Sequence, residues 1–183
     1  MITKPDFIAS IENSTSHRPI RDYISECVFN DPSLLSELMQ MALDVNNKNH
    51  YKACWILELV LEKHIEWLKS YCTEFCAILP FYLHDGALRS VSKICLFAAI
   101  EHLKSNEQFL GKNQVTVICE CSFDWLITNQ KVAAKAYAMR TLFELGKLQS
   151  WIYPELRIVL EQGYPNHSAA YKAASKDVLR RMK

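Results

Sequence analysis

The sequence predicts an all-α fold in which antiparallel helix pairs stack side by side, an α-solenoid of about four to five pairs. The chain has only four glycines in 183 residues, too few for the many tight turns of an all-β protein. Apolar residues recur with the period of a helix, and no stretch of five or more residues alternates convincingly between apolar and polar side chains. In addition, one residue pattern recurs along the chain, as in repeat proteins.

Length and composition predict a single soluble domain over residues 1–183. Half of the residues are hydrophobic, which is enough for a core and too many for a disordered chain. The longest apolar run, Ile94 to Ile100, has seven residues, far fewer than the roughly 20 that a membrane helix needs. Seven irregularly spaced cysteines predict buried, reduced thiols, and the N-terminus lacks the apolar core of a signal peptide. The expected location is therefore the cytoplasm.

Caps and breakers place the helices of the first half. Asp31-Pro32 is an N-cap followed by a proline, and it opens a helix whose apolar stripe runs from Leu34 to Val45. A strongly helical segment extends from His50 to about Lys63. A third helix is expected from about Trp67 to Leu79, and Pro80 ends it because proline removes a backbone donor and clashes with the preceding turn.

Caps and breakers also place the helices of the second half. His84-Asp85-Gly86 predicts a turn, and Gly146 is expected to close a helix at the C′ position, which glycine commonly occupies. The helices expected here run from Leu88 to about Leu103, over a face from Val115 to Trp125, from Val132 to Leu145, from Pro154 to Gln162 and from Ser168 to Arg181.

Four of these helices share a pattern: a basic residue, a small residue directly after it, and a leucine seven positions after the basic residue. The basic residues are 37, 46 and 37 positions apart, and the longer interval contains a polar connection between Lys104 and Gln114. The small residue would allow a neighbouring helix to approach, and the leucine two turns later would face the shared core. The four sets are Lys52-Ala53-Leu59, Arg89-Ser90-Leu96, Lys135-Ala136-Leu142 and Lys172-Ala173-Leu179.

A turn Asp or Asn, a basic residue, a small residue and spaced aliphatic residues together resemble the second helix of a HEAT repeat. The clearest instances are Asp85 to Val91 and Asn129 to Ala136. The resemblance covers about residues 31–183, and residues 1–30 resemble a degenerate N-terminal capping pair with Arg21 loosely matching the basic position. It implies a HEAT-like (armadillo-like) α-α superhelix, whose pairs bury their apolar stripes by stacking, and it implies no particular activity.

The stretch from His50 to Glu62 also resembles a group of small bacterial helical-repeat proteins, some of which carry the label adenylosuccinate lyase. Enzymes of that superfamily are more than twice as long as this chain. They have a flexible loop with paired serines followed by Met-Pro and Lys-Asn, and nothing in this sequence matches that loop. Lyase activity is therefore not expected.

Lys52, Arg89, Lys135 and Lys172 are the candidate partner-binding residues. Like charges at equivalent points of successive helices would make a positively charged concave row for an acidic peptide or a nucleic acid. The alternative is that each cation pairs with an Asp, Asn or Glu of its own or the next repeat, in ordinary and individually weak ion pairs. Because the whole chain has 21 basic and 20 acidic residues, it lacks the basic excess of most nucleic-acid-binding proteins. A protein or peptide partner is expected.

The sequence contains no catalytic motif. It has no Gly-x-Ser-x-Gly, no Walker loop and no dinucleotide fingerprint, and no histidine stands at ligand spacing to complete a zinc set with Cys72 and Cys76. Neither a metal nor a cofactor is expected. The leading hypothesis is a non-enzymatic protein-interaction or scaffold module, and a stabilising subunit that functions only within a complex is a further possibility.

The alternative hypothesis is DNA-base repair on the same scaffold. Alkylpurine DNA glycosylases of HEAT architecture use an Asp together with tryptophans on a basic concave face, and Asp124 beside Trp125 is similar to that combination. Neighbouring residues of a helix point about 100° apart, so the pair alone is a weak indication. Large aromatic residues mostly fill solenoid cores, and the four tryptophans are expected to do so here.

Overall fold

The computed structural model describes residues 2–182, apart from the side chain of Asn166. These residues form ten α-helices and no strand, so the predicted all-α class is correct. The helices of the first half are α1 (Lys4–Glu12), α2 (Arg18–Asn30), α3 (Leu35–Leu43), α4 (His50–Lys63), α5 (Cys72–Ile78) and α6 (Asp85–Lys104). Those of the second half are α7 (Lys112–Ile127), α8 (Val132–Leu145), α9 (Ile152–Gly163) and α10 (Ala169–Arg181).

Side-chain caps explain several helix starts. The carboxylate of Asp31 accepts from the backbone N–H of Ser33 at 3.1 Å and opens a short 3-10 turn that leads into α3. The hydroxyl of Ser168 accepts from the N–H of Tyr171 at 3.4 Å and caps α10. Each cap satisfies one of the backbone donors that a helix start leaves without an intrahelical acceptor.

The helix predicted from Trp67 to Leu79 is wrong in its first half, because Ile65–Tyr71 forms 3-10 turns and only α5 is α-helical. The ring of His64 stacks on that of Trp67 at 4.4 Å between centroids. The N–H of Trp67 also donates to the carbonyl of His64, an i to i+3 bond that tightens the turn. The end of the segment is as predicted, since Pro80 lies in the 3-10 turn that follows α5.

Gly146 ends α8 as predicted, but the C′ glycine rule does not explain it. Its φ is −62°, an ordinary right-handed value that any residue can adopt. A Cβ at this position would instead lie 2.1 Å from Cε1 of Tyr153. The hydroxyl of Tyr153 donates to the carbonyl of Phe143 at 3.1 Å, and the two rings stack. Glycine is needed because the ring of Tyr153 occupies the space of a side chain.

The chain divides into two compact units, Met1–Ile94 and Cys95–Lys183, with the boundary inside α6. In the first unit α1 pairs with α2 and α3 with α4, while α1 also packs on α3 and α2 on α4. In the second unit α7 pairs with α8 and α9 with α10, while α7 packs on α9 and α8 on α10. Each unit therefore has a row of odd-numbered and a row of even-numbered helices, the arrangement of stacked helix pairs. The single domain over residues 1–183 stays a prediction.

The cores of both units follow helical spacing. Ala53, Leu57 and Val60 of α4 are fully buried, as are Ala138 and Leu142 of α8. Burying a side chain the size of leucine contributes roughly 1.5–3 kcal/mol, so these faces account for much of the stability. None of the helices among the described residues combines the length and the apolar character that crossing a membrane would require.

The recurring pattern holds on α4 and fails on α10. Ala53, the small residue after Lys52, is fully buried as predicted. Ala173, the small residue after Lys172, is exposed, and Tyr171 is the buried residue at the start of α10. The prediction is wrong there because the core-facing side of α10 begins one residue before the cation.

Candidate functional site

Two of the four predicted cations, Lys52 and Arg89, lie in the first unit, and both have partners there. Nζ of Lys52 on α4 donates to the carbonyl of Glu12 at the end of α1. A cation suits this place because a helix C-terminus has unpaired carbonyls and a partial negative charge. Nη1 of Arg89 on α6 lies 3.4 Å from Oε2 of Glu58 on α4. Of these two cations, only Arg89 contacts an acidic side chain.

The other two, Lys135 and Lys172, lie in the second unit. Lys135 on α8 is 4% exposed, and its Nζ donates to the carbonyl of Leu126 in the last turn of α7 at 2.7 Å. Nζ of Lys172 lies over the ring of Tyr164, 5.7 Å from its centroid. Neither lysine pairs with an acidic side chain among the described residues. A partner-binding role for the four cations stays a prediction.

The first candidate site is built around a buried carboxylate and is called the Glu58 cluster. Glu58 is 2% exposed and lies on α4. Its Oε2 accepts from Oγ of Ser90 at 2.6 Å and faces Arg89, and its Oε1 accepts from Nζ of Lys93 at 3.1 Å. A buried carboxylate is tolerated only with such partners, because desolvation otherwise strongly disfavours its charge. The cluster consists of Glu58, Arg21, Arg89, Ser90 and Lys93.

Arg21 of α2 is the member of the cluster with the fewest partners. Its guanidinium has no hydrogen bond or ion pair with another described residue, and its Nε is buried. Burial lowers the pKa of Arg21, attraction by Glu58 opposes this effect, and repulsion by Arg89 and Arg18 adds to it. Several cations thus converge on carboxylates that other donors already bind, namely Glu58 and Asp22. An additional negative charge at Arg21 would be favourable.

The cluster carries a net positive charge. Arg21, Arg89 and Lys93 supply three cations against the carboxylate of Glu58, and the charge stays positive when Glu62 is added, a neighbour of the cluster that lies 3.0 Å from Nζ of Lys93. The side chain of Arg89 is 42% exposed, so an incoming group can reach it from solvent. Guanidinium groups bind carboxylates through two parallel hydrogen bonds. The surface therefore suits an acidic group.

A groove of about 520 Å³ between α2 and α4 adjoins the cluster through Glu62. Within it, Nε of Arg18 donates to Oδ1 of Asp22 at 2.7 Å. Because both side chains are half exposed or more, this pair contributes little to stability. The groove continues the charged surface of the first unit with side chains that can rearrange around a partner.

Sequence reasoning found only part of this cluster. Arg89 was identified, Arg21 was a loose match to the repeat pattern, and Glu58 and Lys93 were missed. The available signal was Glu58 itself, which is the only charged residue in the apolar stretch from Trp55 to Leu61. Charged residues are almost never buried unless paired, so this position indicated a cation on a neighbouring helix.

The second candidate site is a cleft of about 450 Å³ in the second unit, between the pair α7/α8 and the pair α9/α10. It opens beside Lys135 and is called the Lys135 cleft. Burial lowers the pKa of Lys135 and raises that of Tyr171. Burial, together with repulsion by Lys135, lowers the pKa of His167. The lining residues used below are Ile127, Lys135, Val159, Gly163, His167 and Tyr171.

The tryptophans do not all lie in the core as predicted. Trp125 is 5% exposed, but Trp151 is 50% exposed and stacks on Phe123 at 6.0 Å between centroids. Trp151 is the residue before α9, where the chain is still at the surface. Asp124 is exposed while its neighbour Trp125 is buried, so these two side chains do not face a common space.

The described residues contain no group of three or more His, Cys, Asp and Glu side chains arranged to hold a metal ion. The buried thiols are also poorly suited to chemistry. Burial raises the pKa of Cys54 to about 12 and that of Cys72 to about 11. Such thiols stay protonated at neutral pH, and the thiolate is the reactive form.

Paired helices, two packed rows in each unit and recurring core faces define a helical repeat protein. A family model of the HEAT repeat domain matches residues 7–182, and the chain belongs to this family. The resemblance and the α-solenoid class predicted from the sequence are thereby confirmed. HEAT repeats provide scaffolds and interaction surfaces. A comparison with curated proteins and one with solved structures found no match.

Proposed function

We propose that this protein is a non-enzymatic interaction module whose Glu58 cluster binds an acidic segment of a partner protein. The HEAT repeat family supports the first part, because repeat proteins present extended surfaces suited to protein segments. One observation carries the second part. The guanidinium of the half-buried Arg21 has no hydrogen bond or ion pair with a described residue and is repelled by that of Arg89.

A carboxylate from a partner would relieve that repulsion. Placed between Arg21 and Arg89, it would accept hydrogen bonds from two guanidinium groups and offset the excess positive charge of the cluster. One exposed ion pair contributes at most about 1 kcal/mol. The partner must therefore contribute several acidic residues or apolar contacts as well, and its affinity should fall as the salt concentration rises.

The test is affinity purification of tagged protein from the cells in which it is native. We expect the Arg21→Gln/Arg89→Gln variant to lose partners that the wild-type protein retains, because the substitution removes both guanidinium groups and adds no negative charge. The matched control is Arg157→Gln/Arg180→Gln, which removes two exposed arginines of the second unit. Identical partner sets for the cluster variant and the wild type, with both folded by circular dichroism, would refute the proposed surface.

DNA repair is the competing function, and nothing in the arrangement of Asp124 and Trp125 favours it. An electrophoretic assay at low salt separates the two, since phosphate contacts strengthen as salt falls. The interaction module is expected to leave duplex DNA unshifted at micromolar protein. A shift that requires Arg21 and Arg89 would replace the acidic protein segment with nucleic acid.

We also propose that the protein resides in the cytoplasm. Six of its seven cysteines are buried thiols, and reducing compartments preserve thiols of this kind. Recovery of the protein in the soluble cytoplasmic fraction is the expected result, and recovery in a secreted or membrane fraction would contradict it.

A further inference from the structure

The second unit holds a buried cation that the proposed function does not use. Lys135 is 4% exposed, and the carbonyl of Leu126, at 2.7 Å, is its only hydrogen-bond acceptor among the described residues. An ammonium group has three N–H donors, so two of them lack an acceptor among the described residues, although Nζ also lies over the ring of Tyr171, 6.0 Å from its centroid. The partial negative charge at the C-terminal end of α7 offsets part of this buried charge, as α1 does for Lys52, but no carboxylate among the described residues completes the balance. This site would therefore be stabilised by an anion that enters the Lys135 cleft.

A second polar group in the cleft also lacks a partner. Tyr171 is 1% exposed, and its hydroxyl has no hydrogen bond to a described residue. A Cβ on Gly163 would lie only 2.8 Å from that hydroxyl, so the glycine leaves the space beside it open. The ring of His167 stacks on one face of the Tyr171 ring, with 3.9 Å between the two centroids. Tyr171 can therefore donate a hydrogen bond to a ligand in the cleft without rearranging.

The charge of the cleft favours a singly charged ligand. Its lining has one lysine and no acidic residue, and burial and Lys135 lower the pKa of His167 so that its ring is neutral near pH 7. One negative charge would balance Lys135. A phosphate dianion would leave a surplus negative charge close to the carbonyls at the C-terminal ends of α7 and α9, where the helix dipoles disfavour anions.

The walls of the cleft are apolar beside the cation. Ile127, at the end of α7, is 66% exposed, and Val159 of α9 lines the same space. We propose that the Lys135 cleft binds a carboxylate whose apolar part lies against Ile127 and Val159. This proposal concerns the second unit alone and does not depend on the acidic partner of the Glu58 cluster.

Solution NMR of the full chain tests the proposal with simple probes. Pentanoate should shift the amide signals of Ile127, Val159 and Gly163 in a saturable manner. Pentanamide has the same shape without the charge and should bind at least about tenfold more weakly, because a charged hydrogen bond is worth about 1.5–3 kcal/mol. Inorganic phosphate should bind more weakly than pentanoate. Equal binding of pentanoate and pentanamide, or tighter binding of phosphate, would overturn the proposal.

The variants assign the effect to residues. Lys135→Met should weaken pentanoate binding at least about tenfold, and Tyr171→Phe about threefold, since a neutral hydroxyl contributes less than a charge. Lys176→Met, at an exposed position of α10 outside the lining, should leave the affinity unchanged. If Tyr171→Phe and a folded Lys135→Met both bound pentanoate as tightly as the wild type, the site would be refuted. If Lys135→Met fails to fold, the Tyr171→Phe and pentanamide results decide.

The source of the carboxylate is distinguished by a peptide probe. Acetyl-Gly-Val presents a C-terminal carboxylate beside a branched side chain, as the end of a protein would. Binding of this dipeptide as tight as that of pentanoate would identify the ligand as a protein C-terminus. Binding of pentanoate alone would identify it as a small aliphatic carboxylate, and binding of neither would overturn the proposal.

Discussion

The most deeply buried charges of the two units, Glu58 and Lys135, have opposite signs and different numbers of partners, while Glu144 of the second unit, 9% exposed, is paired with Lys147 and Arg181. In the first unit the buried charge is the carboxylate of Glu58, and both of its oxygens have donors from the neighbouring even-numbered helix. In the second unit it is the ammonium of Lys135, which has a single backbone carbonyl as its acceptor. Glu58 and Lys135 both lie on even-numbered helices of the repeat, α4 and α8. The repeat alone does not determine which charge is buried, since Lys135 is buried while the aligned Lys52, Arg89 and Lys172 are only partly so. Burial and partners both depend on the individual helices that meet at each position.

This difference has consequences for stability and for binding. Glu58 is already saturated, so it holds cations in place for an external partner. Lys135 is not saturated, so the anion that would complete its environment must come from a ligand. The first unit should therefore respond strongly to the loss of its buried charge, and the second unit should respond weakly.

The largest effect is expected for Glu58→Gln. The amide can still accept one hydrogen bond, but it leaves Arg89 and Lys93 without a buried counter-charge and points an N–H₂ group at a cation. Breaking a buried pair costs about 3–5 kcal/mol, so we expect the free energy of unfolding to fall by about 3 kcal/mol in urea denaturation. The control Glu62→Gln, half exposed, should lose less than about 1 kcal/mol. Equal losses would show that Glu58 is not the centre of the network.

Packing should differ between the units as well. In Gly146→Ala the new Cβ meets the ring of Tyr153, which a hydrogen bond and a stack hold in place. We expect a loss of about 2 kcal/mol in thermal unfolding, typical of overpacking. Gly86→Ala in the first unit places a Cβ 3.0 Å from Nε1 of Trp55, and the helix preference for alanine, about 1 kcal/mol, offsets the crowding. If Gly146→Ala left the stability in thermal unfolding unchanged, the ring of Tyr153 would be able to move aside readily.

Lys135→Met should cost about 1 kcal/mol of unfolding free energy, roughly a third of the loss expected for Glu58→Gln. The substitution leaves the carbonyl of Leu126 without its donor, but it also removes the desolvation cost of a buried charge. Urea denaturation of both variants under one set of conditions gives the ratio. If the lysine variant proved the less stable of the two, the contrast between the units would be reversed.

The smallest effect concerns pH. Burial lowers the pKa of His102, whose Nδ1 accepts from the N–H of Leu110 at 3.1 Å. Because its pKa is lower in the folded than in the unfolded state, the unfolded chain binds more protons below about pH 6.5, and the free energy of unfolding should fall as the pH falls from there. His102→Asn keeps an acceptor and should reduce this fall, while His17→Asn, at an exposed position, should not. An unchanged pH profile in His102→Asn would assign the fall to other groups.

Much of the fold could be predicted because its signals are local. The bounds of α4 and α8 match the structure, since a polar cap, a run of helix-forming residues and a breaker lie within a few residues of each other. The Ile65–Tyr71 segment was mispredicted because its 3-10 turns depend on the stacking of His64 and Trp67, which helix propensity does not register.

The candidate sites were less predictable, because their members are far apart in the chain. Arg21 lies 37 positions before Glu58 in the chain, and Ser90 lies 32 positions after it, yet both interact with Glu58 in the fold. A repeat pattern can align such positions, as it did for Arg89, but it does not reveal which aligned side chains touch. The cleft was found only in part, as Lys135, because the repeat pattern makes no prediction for Tyr171 and His167, which come from another part of the chain.

The amino-acid sequence by itself determined that this chain forms helices, where most of them begin and end, and that they repeat in stacked pairs. Those properties follow from periodicity, caps and breakers, which act over a few residues. Only the tertiary structure decided which charges are buried and what they contact, because burial brings together side chains from separate helices and removes the water that would otherwise solvate each of them.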